Sequence, residues 1–211
     1  MTDTQKKPLW KNELVWLFLI TSGLFAILYS KFILGGYAYV FTDTGADTMQ
    51  INYAQYGLFS SLFRSGESGY VLQAGLGMDV SSYYPAYLIP YNLLILLAPQ
   101  RLLPWAVLAS AYLKMITISL VGYLFYRKLM QDGIGTMAAA LAWTFSGYVI
   151  LWGQHYGFCT CMALFTVFMY FLQCYLNGEQ RWKSAGLVLT VTMLLISSYY
   201  FLYMIAFFAV F

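Results

Sequence analysis

Two carboxylates, Asp43 and Asp47, flank a short polar stretch, Thr42-Asp43-Thr44-Gly45-Ala46-Asp47-Thr48. The whole chain has only 8 acidic residues, so a pair between two apolar runs is notable. Such a pair can hold a divalent cation, take a proton from a hydroxyl, or do both. Gly45 lets the chain bend tightly between them. The pair equally suits a solvated loop that caps a helix, and the spacing does not choose between these readings. His155, the only histidine, stands in Trp152-Gly153-Gln154-His155-Tyr156. It could orient a phosphate or a sugar hydroxyl, or serve a structural role at a helix end. Lys114 falls near the middle of a long apolar run, where an ionisable group is expensive and marks a functional position by default. It would pair with a carboxylate or meet a lipid phosphate. Arg64 and Arg101 could contact lipid phosphates or hold a loop at headgroup level. Cys159, Cys161 and Cys174 have no metal-ligand spacing and read as buried thiols. The chain contains no P-loop, no dinucleotide-binding glycine fingerprint, no HExxH and no GxSxG, so nucleotide-driven transport within it is not expected.

The elements that must position these residues follow from composition. Apolar residues make up 61% of the 211, and Asp, Glu, Lys and Arg only 9%, against roughly 25% charged in ordinary soluble domains. A soluble chain this short cannot hide so much apolar surface. The composition excludes a disordered chain, a basic nucleic-acid-binding domain and an ordinary cytosolic enzyme. It points to an all-α polytopic transmembrane bundle, with the lipid bilayer as its solvent and no nucleic-acid partner. A crossing helix needs about 20 apolar residues. The expected spans are 14–34, 103–126, 135–153, 158–176 and 184–203, within a single membrane domain. The first run is too long for a signal-peptide core and no small-residue cleavage site follows it. The run 84–98 is too short and carries Pro85 and Pro90, with Pro99 beyond, so it reads as interfacial or re-entrant.

Basic residues orient the spans, because cytoplasmic loops are rich in Lys and Arg. With the N-terminus cytoplasmic and 84–98 not crossing, the inner side collects Lys6, Lys7, Lys11, Arg127, Lys128, Arg181 and Lys183. The outer side keeps Lys31, Arg64 and Arg101. Residues 35–102 then form one long outer loop with juxtamembrane helices. Thr48–Phe63 is expected to be helical, with Asp47 suited to its N-terminus. Gly66, Gly69, Gly75 and Gly77 mark turns, and Tyr83, Tyr84 and Tyr87 suit the headgroup level. The polar break Ser197-Ser198-Tyr199-Tyr200 closes the fifth span. The apolar stretch after it reads as the front of a longer membrane protein.

Several ordered pieces resemble the YfhO family of bacterial membrane proteins, within the GT-C class of integral-membrane glycosyltransferases. Asp47 and Gln50 stand just after the first helix, and Gly75-Leu76-Gly77 follows. Next comes Tyr83-Tyr84-Pro85-Ala86-Tyr87-Leu88-Ile89-Pro90-Tyr91-Asn92-Leu93-Leu94, ending at Pro99. A helix with the embedded Lys114 ends in Arg127-Lys128. Ser146-Gly147-Tyr148 and Ser198-Tyr199-Tyr200 complete the series, the latter with Ser where the family has Asn. The match covers about residues 37–205, and family members are several times longer. The resemblance implies a GT-C-like fold in a bacterial cytoplasmic membrane. It also implies transfer of a sugar from a polyprenyl-phosphate carrier to an envelope or cell-wall glycan on the outer face. By position, the base or metal ligand is Asp47, with Asp43 beside it and Mg or Mn as the implied ion. Gln50, His155, Lys114 and Arg64 are the candidate substrate contacts. A transporter or lipid flippase, or a non-catalytic membrane protein, remains the alternative.

Overall fold

The computed structural model describes residues 12–41, 47–72, 77–130, 132–179 and 181–210. Asp43, Lys6, Lys7, Lys11, Gly45 and Gly75 fall outside these residues. The described chain is overwhelmingly helical, with a single two-stranded hairpin among the described residues.

Helix α1 (Glu13–Leu28) opens after Asn12, whose side chain accepts a hydrogen bond from the Leu14 N–H at 3.1 Å. It is apolar on every side. Leu17, Thr21 and Phe25 face inward at helical spacing, while Trp16, Leu19, Ile27 and Leu28 lie exposed. A helix apolar all round suits lipid rather than water. The run expected as one span over 14–34 is broken at Tyr29, and α2 (Ser30–Leu34) follows. The break buries the Tyr29 ring, stacked on Phe25 at 4.4 Å and edge-on to Tyr39 at 5.3 Å.

The long loop is structured. A π-helical turn (Thr48–Tyr53) runs directly into α3 (Ala54–Ser65), which ends at Gly66 with φ 73°, a left-handed cap that suits glycine. The strands β1 (Tyr70–Val71) and β2 (Met78–Asp79) pair antiparallel, Tyr70 with Asp79 and Val71 with Met78. The proline-rich segment folds as two short helices, α4 (Tyr84–Tyr87) and α5 (Pro90–Leu97), each with proline in its first turn. Neither is long enough to cross a bilayer.

Helix α6 (Leu103–Leu129) is the axis of the molecule. It packs against α1, α5, α7 (Gly133–Thr144) and α9 (Tyr156–Leu176). Buried hydroxyls join α1 to α6: Thr21 Oγ1 and Ser119 Oγ lie 2.7 Å apart, and Ser22 meets Tyr112 at 2.8 Å. The expected span 135–153 is interrupted at Phe145–Ser146, after which α8 (Gly147–Trp152) continues it. The last pair, α10 (Arg181–Ser197) and α11 (Tyr199–Val210), is divided at Ser198, within the expected polar break. Helices α9 and α11 run parallel. Phe158 meets Phe201 at 5.1 Å, and Phe165 meets Phe208 at 5.6 Å, seven residues further along both.

Among the described residues, three helical stretches are long and apolar enough to cross a membrane: Gln100–Leu129, Gly133–Trp152 and Tyr156–Leu176. At 1.5 Å per residue, α9 is about 31 Å long, close to the roughly 30 Å of hydrocarbon in a bilayer. The stretch Gln100–Leu129 is about 45 Å long and extends well past that thickness. Its first turns pack on α3 and α5 instead. The overhang is where the loop meets the bundle.

Candidate functional site

Two hydrogen bonds tie the loop to the α8–α9 region, and a third ties that region to α6. The Thr48 hydroxyl, fully buried, donates to the Gln154 carbonyl at 3.3 Å. The Tyr156 hydroxyl donates to the Tyr39 carbonyl. Lys114 Nζ donates to the Tyr156 carbonyl at 3.1 Å. Thr160 Oγ1 donates to that same carbonyl at 3.0 Å. The start of the loop helix, the turn Gly153–His155 and the middle of α6 therefore meet at one place.

Asp47 and His155 are the chain neighbours of the hydrogen-bonded pair Thr48 and Gln154. The fold thus brings the acidic start of the loop helix to the turn that carries the only histidine. Asp47 does not cap this helix. Its own backbone is helical (φ −56°, ψ −39°) and its side chain makes no cap hydrogen bond. The first turn is π-helical, and the Asn52 amide donates to the Asp47 carbonyl at 3.3 Å. With a π-helical first turn, the capping role that the sequence offers Asp47 is not taken up. His155 packs its ring against Trp152 at 5.6 Å and Phe158 at 5.2 Å, which fixes its plane.

Lys114 is 2% exposed. It sits midway along α6, yet its amine reaches the first residue of α9, because α6 overhangs its neighbours. The middle of this helix is level with the end of the bundle. Its hydrogen bond goes to a backbone carbonyl, so it holds the α8–α9 turn in place. Gln50 lies exposed within the π-helical turn, one turn from Asp47. Arg64 is exposed at the far end of α3, roughly 25 Å of helical rise from Asp47. The fold does not bring Arg64 to the other residues. Asp43, the second carboxylate of the pair, lies outside the described residues. Among the described residues, no group of three or more His, Cys, Asp or Glu side chains could hold a metal ion.

Tyr156 is the residue that spacing alone did not single out. Its hydroxyl, its carbonyl and its ring all have partners. The ring stacks on Tyr56 at 5.3 Å with planes 12° apart. Tyr56 in turn bonds Asn92 at 3.3 Å and lies edge-on to Tyr87. Tyr87 stacks on Phe59 at 4.2 Å. Burial drives the phenols of Tyr56 and Tyr87 well above the usual tyrosine range, so both stay protonated donors. The sequence signal was present in the density of tyrosines, but interfacial belts produce the same density.

The opposite end of the helices is built from charge. Glu179, between α9 and α10, accepts from both Lys128 and Lys183. These lysines hold its carboxyl far below the usual range, at about 2. Glu13 accepts from the Tyr123 hydroxyl and brings the start of α1 to this same end. Two of the expected inner basic clusters, Arg127-Lys128 and the start of α10, thus share one end of the bundle. Set against protein-family models, curated proteins and solved structures, the chain matches none of them.

Proposed function

We propose that this chain is a polytopic membrane glycosyltransferase unit of the GT-C type. It takes its sugar from a polyprenyl-phosphate carrier at the Asp47–His155 end of the bundle. The observation that supports this reading is the Thr48–Gln154 hydrogen bond, which joins the chain neighbours of a carboxylate and an imidazole at the head of apolar helices. A lipid-phosphate donor needs that address, with its chain among apolar helices and its anionic head at their ends.

In this reading Asp47 is the base. It accepts the proton of the acceptor hydroxyl as that oxygen bonds to the sugar's anomeric carbon. The bond from that carbon to the phosphate oxygen breaks, and the electron pair leaves with the lipid phosphate. His155 and Gln50 contact the phosphate or sugar. Lys114 is a positioning residue that acts through the Tyr156 carbonyl. A divalent cation held by Asp47 with Asp43 would neutralise charge on the leaving phosphate. The acceptor is an envelope glycan. The basic end, with Arg127, Lys128 and Lys183, faces the cytoplasm of a bacterial cell, following the distribution of positive charge.

The test is sugar transfer from a polyprenyl-phosphate donor by the chain reconstituted in vesicles. Asp47→Asn is expected to lower the rate by at least a hundredfold while insertion and helix content stay unchanged. Undiminished transfer in that variant removes Asp47 from the mechanism.

A further inference from the structure

A cavity of about 270 Å³ lies between α6, α7, α9 and α11. Its walls include Phe125, Tyr126, Trp143, Phe165, Met169 and Phe208. Gly122 lines it too, and the missing side chain there leaves room between α6 and the Trp143 ring. The cavity is apolar apart from the Thr166 hydroxyl, which accepts from Trp143 Nε1 at 2.9 Å.

Positive charge adjoins these walls along the chain. Phe125 and Tyr126 lead directly into Arg127 and Lys128. Met169 leads into Tyr170, over whose ring lie Lys128 Nζ at 5.6 Å and Lys183 Nζ at 5.9 Å. Lys183 Nζ is also 5.6 Å from the Trp182 ring. One carboxylate, Glu179, serves both lysines. The pair of lysines therefore carries one positive charge beyond what Glu179 neutralises. An apolar slot beside an excess of positive charge complements a molecule with a hydrocarbon chain and an anionic head.

We propose that this cavity and its basic rim form a binding site for an anionic phospholipid of the surrounding membrane. One acyl chain enters beside Trp143, Phe165 and Met169. The phosphate meets Lys128 and Lys183 and competes with Glu179 for them. The site rests on the membrane reading above but not on sugar transfer, and it lies at the other end of the helices from Asp47.

Trp143 provides the probe, because it lines the cavity. The full chain is placed in phosphatidylcholine vesicles containing either phosphatidylglycerol or phosphatidylcholine with brominated acyl chains, which quench tryptophan on contact. The Trp143 contribution is the difference between the parent chain and Trp143→Phe. Brominated phosphatidylglycerol should reach half-quenching at a several-fold lower mole fraction than brominated phosphatidylcholine. Lys128→Gln with Lys183→Gln should abolish that preference, and Glu179→Gln should strengthen it. Equal quenching by the two lipids in the parent chain overturns the site. A preference that survives loss of both lysines, or one that falls in Glu179→Gln, overturns it as well. Quenching of Trp143 by neither lipid overturns the site, and quenching of no tryptophan at all overturns the membrane reading with it.

Discussion

The two ends of the helical bundle solve the same problem by different chemistry. At the Tyr156 end, polar groups are buried and satisfied by hydroxyls and backbone carbonyls. Lys114 bonds the Tyr156 carbonyl, Tyr156 bonds the Tyr39 carbonyl, and Thr48 bonds the Gln154 carbonyl. At the Glu179 end, the polar groups are side-chain charges that face one another near the surface. The first arrangement fixes geometry, because each donor is aimed at one backbone carbonyl. The second fixes charge, because two lysines share the one carboxylate of Glu179. A carboxylate that must sit within hydrogen-bond reach of a reacting hydroxyl belongs with the first kind of scaffold. A rim that exchanges lipid headgroups belongs with the second.

The sharpest test of the contrast is Tyr156→Ala. It removes a buried ring, its stack on Tyr56 and its bond to Tyr39 in one step. Loss of a buried aromatic of this size costs about 3–5 kcal/mol. The melting temperature in detergent should fall, and proteolysis within residues 47–72 should quicken while the helices stay intact. If the loop stays as protected as before, Tyr156 is not the joint.

Lys114→Met asks whether the buried amine is there for stability. The Tyr156 carbonyl keeps the Thr160 hydroxyl as a partner, and a buried amine is costly to desolvate. Stability is therefore expected to hold or to rise by roughly 1 kcal/mol. Sugar transfer should fall at least tenfold through a lower kcat rather than a higher KM. A large loss of stability would make Lys114 a structural residue like any other.

Glu179→Gln should have the smallest effect on stability, since its carboxyl is only partly buried and is screened by solvent. Its signature lies in pH and salt. The lysines hold its folded pKa at about 2, below its ordinary value of 4.5. Its contribution is thus full above that ordinary value and is lost as pH falls toward 2. The difference in melting temperature between parent and variant should shrink across that window and also at high ionic strength. A difference independent of both would mean that the ion pairs contribute nothing.

Much of the fold was legible because it is local. The helix breaks at Ser198 and through the proline-rich segment arise from residue types that cannot continue an apolar helix. The span 103–126 was legible in the same way and ends three residues later, at Leu129. Less visible were the break at Tyr29 and the π-helical turn at Thr48, because both depend on what packs against them. Tyr29 leaves the helix to join Phe25 and Tyr39 in a ring cluster against which the distant rings Tyr112 and Tyr156 pack.

The sequence by itself determined that this is a largely helical, apolar chain, with its few charges confined to loops and helix ends apart from Lys114. Hydrophobic runs, prolines and basic pairs act within a few residues, so they can be read in order along the chain. Only the tertiary structure decided that α6 overhangs its neighbours, so that a mid-helix lysine reaches the α8–α9 turn. Only it decided that Thr48 meets Gln154 across more than a hundred residues. These facts depend on how far one helix slides along another. That offset is set by side-chain interlocking over the whole interface, which no local spacing encodes.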